Sequence, residues 1–141
     1  MTKITASIAK QVAEQVSQER LLQTAIELVE IPSPTRQGAA VADRLATILQ
    51  EDDFAVERPE AGWPAAPAVV TRYDTGKAGR TLQFNGHLDT VHLPFVPPRV
   101  EAGIFYGSGV SDMKGGVAAA VEALRVLRET GLLGGGRILL T

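Results

Sequence analysis

The feature that most constrains the fold of this chain is a change of hydrophobic period along its length. Before residue 50, apolar residues recur at helical spacing, as Ile4, Ile8, Val12 and Val16 illustrate. From residue 54 onward the pattern changes to short β-type runs separated by Pro- and Gly-rich stretches, followed by one more helical pattern and one more β-type run. Interleaved helices and strands predict an α/β fold, a layered domain with a mixed sheet and flanking helices.

The same pattern predicts the individual elements. One apolar face extends through residues 4–29, and this helix should end at Ile31 because Pro32 disfavours helical geometry in the residue before it. A second helix should end at Gln50, and the acidic residues 51–53 that follow it should be exposed to solvent. A third helix is predicted over residues 115–130, with Gly131 as its C-cap. Strands are predicted over residues 54–58, 68–73, 81–84, 104–106 and 137–141.

Composition excludes several classes of protein. A net charge of −2 over 141 residues leaves no broad basic field for nucleic acid or an anionic membrane. No apolar run is long enough to cross a bilayer, and the first residues lack the pattern of a signal peptide. We therefore expect a single cytoplasmic domain. The chain has no cysteine, so any transition-metal site must use His, Asp or Glu.

The first motif that carries chemistry is residues 85–91, Asn-Gly-His-Leu-Asp-Thr-Val. It follows a predicted strand, so His87 lies at or just past a strand end, where α/β sheets usually place their ligands. His87 and Asp89 are two residues apart and point to the same face in extended backbone. A carboxylate there can accept the N–H of one ring nitrogen and leave the other nitrogen facing a metal. An ordinary surface histidine beside a turn carboxylate is the alternative.

The second motif is residues 106–116, Tyr-Gly-Ser-Gly-Val-Ser-Asp-Met-Lys-Gly-Gly. It places Asp112 just before the third predicted helix, where an aspartate could also be a plain N-cap. Four glycines flank Asp112, and glycine is costly to order unless an unusual dihedral angle or a close approach requires it. A carboxylate on such a tight turn suits a rigid position that bridges two metal ions.

In this order and at this separation, the two motifs resemble the co-catalytic zinc metallopeptidase family that includes acetylornithine deacetylase, succinyl-diaminopimelate desuccinylase, aminoacylase and glutamate carboxypeptidase. The pattern His-x-Asp-x-Val is met by His87, Asp89 and Val91, and the pattern Asp-Met-Lys-Gly-Gly by residues 112–116. Residues 28–33, Leu-Val-Glu-Ile-Pro-Ser, resemble the end of the family's first helix. The resemblance extends from about residue 21 to residue 141.

The resemblance implies a site with two zinc ions, for which cobalt or manganese could substitute. His87 would ligate one zinc, Asp112 would bridge both, and Asp89 would orient His87. The implied substrates are N-acyl amino acids or small peptides, whose amide carbonyl the metals polarise while activating water. The complete enzyme would be a homodimer. The family often has a cis peptide bond after the bridging aspartate, so the bond between Asp112 and Met113 is expected to be cis.

The chain departs from the family in what it lacks. In the family, a general-base glutamate and a second ligand come just after the strand that begins here at Arg137, and a later carboxylate, a final histidine and a dimerisation domain follow. Two ligand side chains cannot complete the four-ligand shell of even one closed zinc site. We therefore expect residues 1–141 to be the N-terminal part of a catalytic domain, inert and weak in zinc binding by itself. His92, five residues from His87, is expected to be a loop residue near the site.

Two hypotheses of different classes remain open from the sequence. In the first, the chain is the N-terminal part of a zinc-dependent amidohydrolase, and an acidic pair should follow Thr141. In the second, it is a non-catalytic remnant or an interaction protein completed by another chain, because the unfinished last strand would leave an edge open for pairing.

Overall fold

The computed structural model describes residues 3–60, 62–91 and 94–141, with side chains described from residue 6 onward. The helices in these ranges are α1 (Lys3–Glu14), α2 (Gln18–Glu30), α3 (Ala39–Glu51) and α4 (Gly115–Thr130). The strands are β1 (Val56–Glu57), β2 (Val70–Asp74), β3 (Thr81–Phe84), β4 (Arg99–Glu101), β5 (Ile104–Tyr106) and β6 (Arg137–Leu140). None of the described helices is long and apolar enough to span a membrane. The predicted α/β class, a mixed sheet with flanking helices, is confirmed.

Four of the strands form one mixed sheet in the order β1-β2-β6-β3. β6 is parallel to β3 and antiparallel to β2, and β2 is antiparallel to β1. β4 and β5 form a separate antiparallel hairpin. Because β3 and β6 are parallel, their C-terminal ends lie side by side at the same end of the sheet. The residues that follow β3 therefore leave the sheet next to the end of β6.

The hydrophobic core lies between one face of this sheet and the helices. Side chains alternate across a strand, and in β6 Ile138 and Leu140 are buried while Arg137 is exposed. The opposite face carries charged side chains, among them Arg72, and an ion pair between Arg137 and Asp74. Apolar residues of α2, α3 and α4 complete the core, among them Leu28, Val41, Leu45, Leu49, Val117, Val121 and Leu124.

The N-terminal helical face is interrupted, so the prediction of one helix through residues 4–29 is wrong. α1 ends at Glu14 and α2 begins at Gln18. Ser17 is the N-cap of α2, and its hydroxyl accepts a hydrogen bond from the Arg20 N–H at 3.2 Å. The N–H of Ser17 donates to Glu122 at 2.9 Å. A contact with α4 helps to set this break, which local spacing does not reveal. The predicted end is confirmed, since Ile31 is the C-cap of α2.

The acidic residues 51–53 at the end of α3 are not all solvated, which corrects a second expectation. Glu51 and Asp53 are exposed. Asp52, however, is half-buried and accepts a hydrogen bond from Nε of Arg125 at 2.6 Å. The partner lies on α4, so the distinction among three adjacent acids depends on tertiary packing.

The last strand is not an edge strand, which corrects a third expectation. β6 is paired on both sides, with β2 and with β3. Within the described residues, the edges of the sheet are β1 and β3. The strands over 81–84 and 104–106 lie where the sequence predicts them, whereas β4 was not predicted. α4 and its C-cap are also confirmed, because Gly131 adopts the left-handed conformation and its N–H donates to Leu127.

Candidate metal centre

His87 lies just past the C-terminal end of β3, beside the C-terminal end of β6. The hydrogen-bond ladder continues past both strands, since the Thr141 N–H donates to Phe84 at 2.9 Å and the Gly86 N–H donates to Thr141 at 2.9 Å. A Cβ on Gly86 would lie 3.0 Å from a methyl group of Val117 on α4. The glycine thus allows the strand end to pack closely against α4, and His87 is the next residue.

Asp112 lies on a wide turn of π type, Val110–Lys114, that leads into α4. In this turn the Lys114 N–H donates to Gly109 at 2.8 Å and the Gly115 N–H donates to Val110. Gly109 has a φ of 80°, and a Cβ on Gly115 would lie 2.6 Å from the Val110 carbonyl oxygen. Both positions require glycine, as the sequence indicates. The peptide bond between Asp112 and Met113 is cis, as expected.

The two motifs meet at His87. Its Nε2 lies 2.9 Å from Oδ1 of Asp112. Its Nδ1 lies 3.1 Å from the backbone carbonyl oxygen of Asp89 and 3.2 Å from Oδ1 of the same residue. Among the described contacts, Asp112 pairs with this imidazole and not with a free N–H of α4, so the plain N-cap alternative is wrong.

The electrostatics of this cluster favour a protonated imidazole in the metal-free chain. Each ring nitrogen faces an acceptor oxygen, and both nitrogens can donate at once only when the imidazole is protonated. Burial lowers the pKa of His87, but the hydrogen bond to Asp112, the hydrogen bond to Asp89 and the attraction of both carboxylates outweigh burial and raise that pKa above its ordinary value of 6.5. A metal ion must therefore displace a proton from His87.

The donor set fits part of a zinc site. His87 and Asp112 face a cleft of about 290 Å³, and their side chains are 46% and 81% exposed. Two ligands of one tetrahedral zinc ion lie about 3.4 Å apart, given bonds of about 2.1 Å. The observed 2.9 Å between Nε2 and Oδ1 therefore needs only a small opening. Across residues 3–60, 62–91 and 94–141, no group of three or more His, Asp or Glu side chains is arranged to hold one metal ion. His92 lies outside these residues.

A second cavity adjoins this cleft. It has a volume of about 330 Å³ and shares His87 and Asp89 with the cleft. Val69, Val117 and Leu140 contribute to its mainly apolar lining. The sequence did not reveal this cavity, because its walls come from segments that lie far apart along the chain.

Comparison with known proteins shows which proteins this chain resembles. Residues 83–141, which include both ligand motifs, match the model of peptidase family M20/M25/M40. The chain is therefore similar to this family over the residues that carry both motifs. It is 36% identical over 138 residues to a succinyl-diaminopimelate desuccinylase from Methylobacterium radiotolerans, covering 89% of this chain and 34% of that protein. It is 33% identical over 129 residues to carboxypeptidase G2 from a Pseudomonas species, covering 86% of this chain and 31% of that protein.

Solved structures of peptidases share this fold over about a third of their length. The aminopeptidase PepT from Bacillus cereus superimposes with a TM-score of 0.73 at 28% identity, covering 89% of this chain and 36% of that chain. Human carnosine dipeptidase 1 superimposes with a TM-score of 0.71 at 20% identity, covering 99% of this chain and 34% of that chain. This chain spans about a third of the length of the curated relatives that it matches.

Proposed function

We propose that this chain is the N-terminal part of the catalytic domain of a zinc-dependent amide hydrolase. In this proposal His87 ligates one zinc ion, Asp112 bridges two zinc ions, and Asp89 orients His87. The remaining ligands and the general base come from residues that this chain does not contain. The observation that carries the proposal is the 2.9 Å contact between Nε2 of His87 and Oδ1 of Asp112, next to the C-terminal ends of β3 and β6.

The contacts of the three residues support these roles. Asp89 holds the proton on Nδ1 of His87 through its backbone and side-chain oxygens, which leaves Nε2 as the nitrogen that can lose its proton to a metal. Asp112 is mostly exposed, so its second oxygen remains accessible for bridging. The chemistry that zinc supplies at such sites is polarisation of a carbonyl oxygen and activation of water.

The substrate class proposed is an N-acyl amino acid or a small peptide. Relatives in the family include a desuccinylase and a carboxypeptidase. The apolar cavity next to His87 offers room for the acyl group or side chain of such a molecule. We propose in addition that the complete enzyme is a cytoplasmic homodimer and that cobalt or manganese can replace zinc.

Cobalt titration tests the metal site in the purified chain. We expect weak binding, monitored by the visible absorption of Co²⁺, that is lost in His87→Ala and in Asp112→Asn. The matched control is Asp43→Asn, because Asp43 is another exposed aspartate, paired with Arg58 at 2.8 Å, outside the two motifs. If all three variants bind cobalt as the unaltered chain does, the ligand assignment is wrong.

Hydrolysis assays test the proposed dependence on missing residues. The chain alone, verified by intact mass, should release no amine from N-succinyl or N-acetyl amino acids in the presence of zinc. Measurable turnover that depends on His87 would show that the chain is sufficient as an enzyme. A chain extended with the residues that follow position 141 in its gene should gain turnover. If it gains none, the hypothesis of a non-catalytic remnant or interaction protein is favoured.

A further inference from the structure

The segment after α2, residues 31–35, contacts both turns that carry the candidate ligands. We call it the anchor segment. The His87 turn, residues 85–91, lies on one side of it, and the turn Val110–Lys114 lies on another. The ligand side chains themselves are largely exposed, so side-chain packing does little to fix their separation. Contacts between the two turns and the anchor segment contribute to it.

The anchor segment is hydrogen-bonded to the residues on either side of Asp89. The hydroxyl of Ser33, which is fully buried, donates to the Leu88 carbonyl at 2.7 Å. The Thr90 N–H donates to the Ser33 carbonyl at 2.7 Å, and the Thr35 N–H donates to the Thr90 carbonyl at 3.1 Å. These bonds hold the backbone of the His87 turn against a short strand-like segment whose central residue, Ser33, is buried.

A buried lysine joins the anchor segment to the second turn. Lys114 has no exposed surface, and its Nζ donates to the carbonyl of Ile31 at 2.8 Å. Ile31 is the C-cap of α2, where carbonyl groups lack partners within the helix and a cation is favoured by the helix dipole. Lys114 ends the turn that carries Asp112. Its side chain therefore ties that turn to the start of the anchor segment.

We infer that Ser33 and Lys114 are positioning residues that set the separation of His87 and Asp112 through the anchor segment. Ser33 fixes one ligand turn and Lys114 fixes the other, and the short backbone between Ile31 and Ser33 connects these two points of attachment. The inference rests on the proposed function for its effect on metal binding. Its geometric content also applies to the metal-free chain, which allows the two to be tested apart.

Cobalt affinity tests the effect of Ser33. Ser33→Ala should weaken cobalt binding by about 10- to 100-fold, the usual effect of removing a hydrogen-bonding group that orients a metal ligand. The matched control is Thr71→Val. Thr71 is also buried, and its hydroxyl donates to the carbonyl of Ala55 at 2.7 Å, outside both ligand turns. The control should lose stability as Ser33→Ala does, with unchanged cobalt affinity. Equal affinities in the two variants would overturn the inference.

A double-mutant cycle tests whether the two residues act through one segment. Lys114→Met keeps the aliphatic length but removes the donor to Ile31. If the anchor segment works as a unit, releasing either end frees the ligand pair, so the combined variant should lose less affinity than the sum of the single losses. Strict additivity would contradict a shared anchor. If Lys114→Met does not fold, the comparison of Ser33→Ala with Thr71→Val still decides the role of Ser33.

NMR of the metal-free chain separates this inference from the proposed function. The nuclear Overhauser effect between the His87 ring protons and the Asp112 β-protons reports their proximity directly. It should weaken in Ser33→Ala and in Lys114→Met, and persist in Thr71→Val. Undiminished signals in both anchor variants would refute the inference even if cobalt binds. Absence of cobalt binding in the unaltered chain would refute the metal site, while the NMR comparison would still decide the anchor.

Discussion

Two clusters of charged side chains in this protein differ in what surrounds them. The interhelical cluster, Arg20, Asp52, Glu122 and Arg125, joins α2, α4 and the end of α3. The cluster of candidate ligands, His87, Asp89 and Asp112, lies on two turns next to the C-terminal ends of β3 and β6; we call it the ligand cluster. Both combine carboxylates with nitrogen donors at hydrogen-bonding distance, so residue type alone does not separate a structural role from a functional one.

In the interhelical cluster the carboxylate of Glu122 is buried, and hydrogen bonds from neighbouring residues occupy both of its oxygens. The side chain of Glu122 is 1% exposed and accepts from Nε of Arg20 at 2.8 Å and from the Ser17 N–H at 2.9 Å. Burial raises the pKa of Glu122, but these hydrogen bonds and the attraction of Arg20 and Arg125 outweigh it and lower the pKa below 4.5. No lone pair of Glu122 remains accessible to a ligand. Such a cluster can only stabilise the fold.

In the ligand cluster the opposite holds. Asp112 is 81% exposed, and within the described contacts its carboxylate pairs with His87 alone. An exposed pair of this kind contributes little to stability, because water competes for both partners. It keeps acceptor capacity for a metal ion. Burial and the number of hydrogen bonds that a carboxylate already accepts therefore distinguish one that can still bind a ligand from one that stabilises the fold.

The largest effect should come from breaking the interhelical cluster. Glu122→Ala leaves Arg125 buried without one of its partners, so we expect the free energy of unfolding to fall by about 3–5 kcal/mol, as for other broken buried ion pairs. Urea denaturation would measure the loss. Cobalt affinity of the folded fraction should not change, and a parallel loss of affinity would show that the two clusters are coupled.

Removing a ligand carboxylate should reverse this pattern. Asp112→Asn should reduce cobalt affinity at least tenfold, equivalent to about 1.4 kcal/mol, while the urea midpoint of the metal-free chain stays nearly unchanged. A drop in stability similar to that of Glu122→Ala would mean that Asp112 has a structural role after all.

The pH dependence of the two clusters should also differ. The raised pKa of His87 means that the cluster's contribution to stability is fully present below pH 6.5 and is lost as the pH rises through the folded-state pKa. Cobalt affinity should rise over the same interval, because metal and proton compete for Nε2. The lowered pKa of Glu122 means that its contribution is present above pH 4.5 and is lost as the pH falls through the folded-state pKa. Parallel titrations of His87→Ala and Glu122→Gln would show whether each loss belongs to its own cluster.

The smallest effect is expected from an ion pair that belongs to neither cluster. Lys10 and Glu14 are 3.7 Å apart on α1, with side chains 78% and 59% exposed. Glu14→Gln should change neither the urea midpoint nor cobalt affinity measurably, since exposed helix pairs contribute at most about 0.5 kcal/mol. A clear shift in either quantity would show that the exposure of an ion pair does not predict its contribution to stability or metal binding in this protein.

The sequence by itself determined the fold class and the positions of β3, β5 and α4, and it singled out His87, Asp89 and Asp112 as candidate ligands. These depend on local rules: hydrophobic period, the effect of Pro32 on the residue before it, glycine at Gly109 and Gly115, and two short motifs. The pairing of His87 with Asp112 was implied by the resemblance to the family, and the geometry brings the two side chains together.

Only the tertiary structure decided the features that depend on partners far along the chain. The break between α1 and α2 involves Ser17 and Glu122, which are 105 residues apart, and the half-buried position of Asp52 depends on Arg125. The placement of β6 inside the sheet depends on pairing with β2 and β3. The anchoring of both ligand turns by residues 31–35 is of the same kind. Hydrogen bonds between distant residues leave no periodic trace in the sequence, so the fold has to bring the partners together before their roles can be recognised.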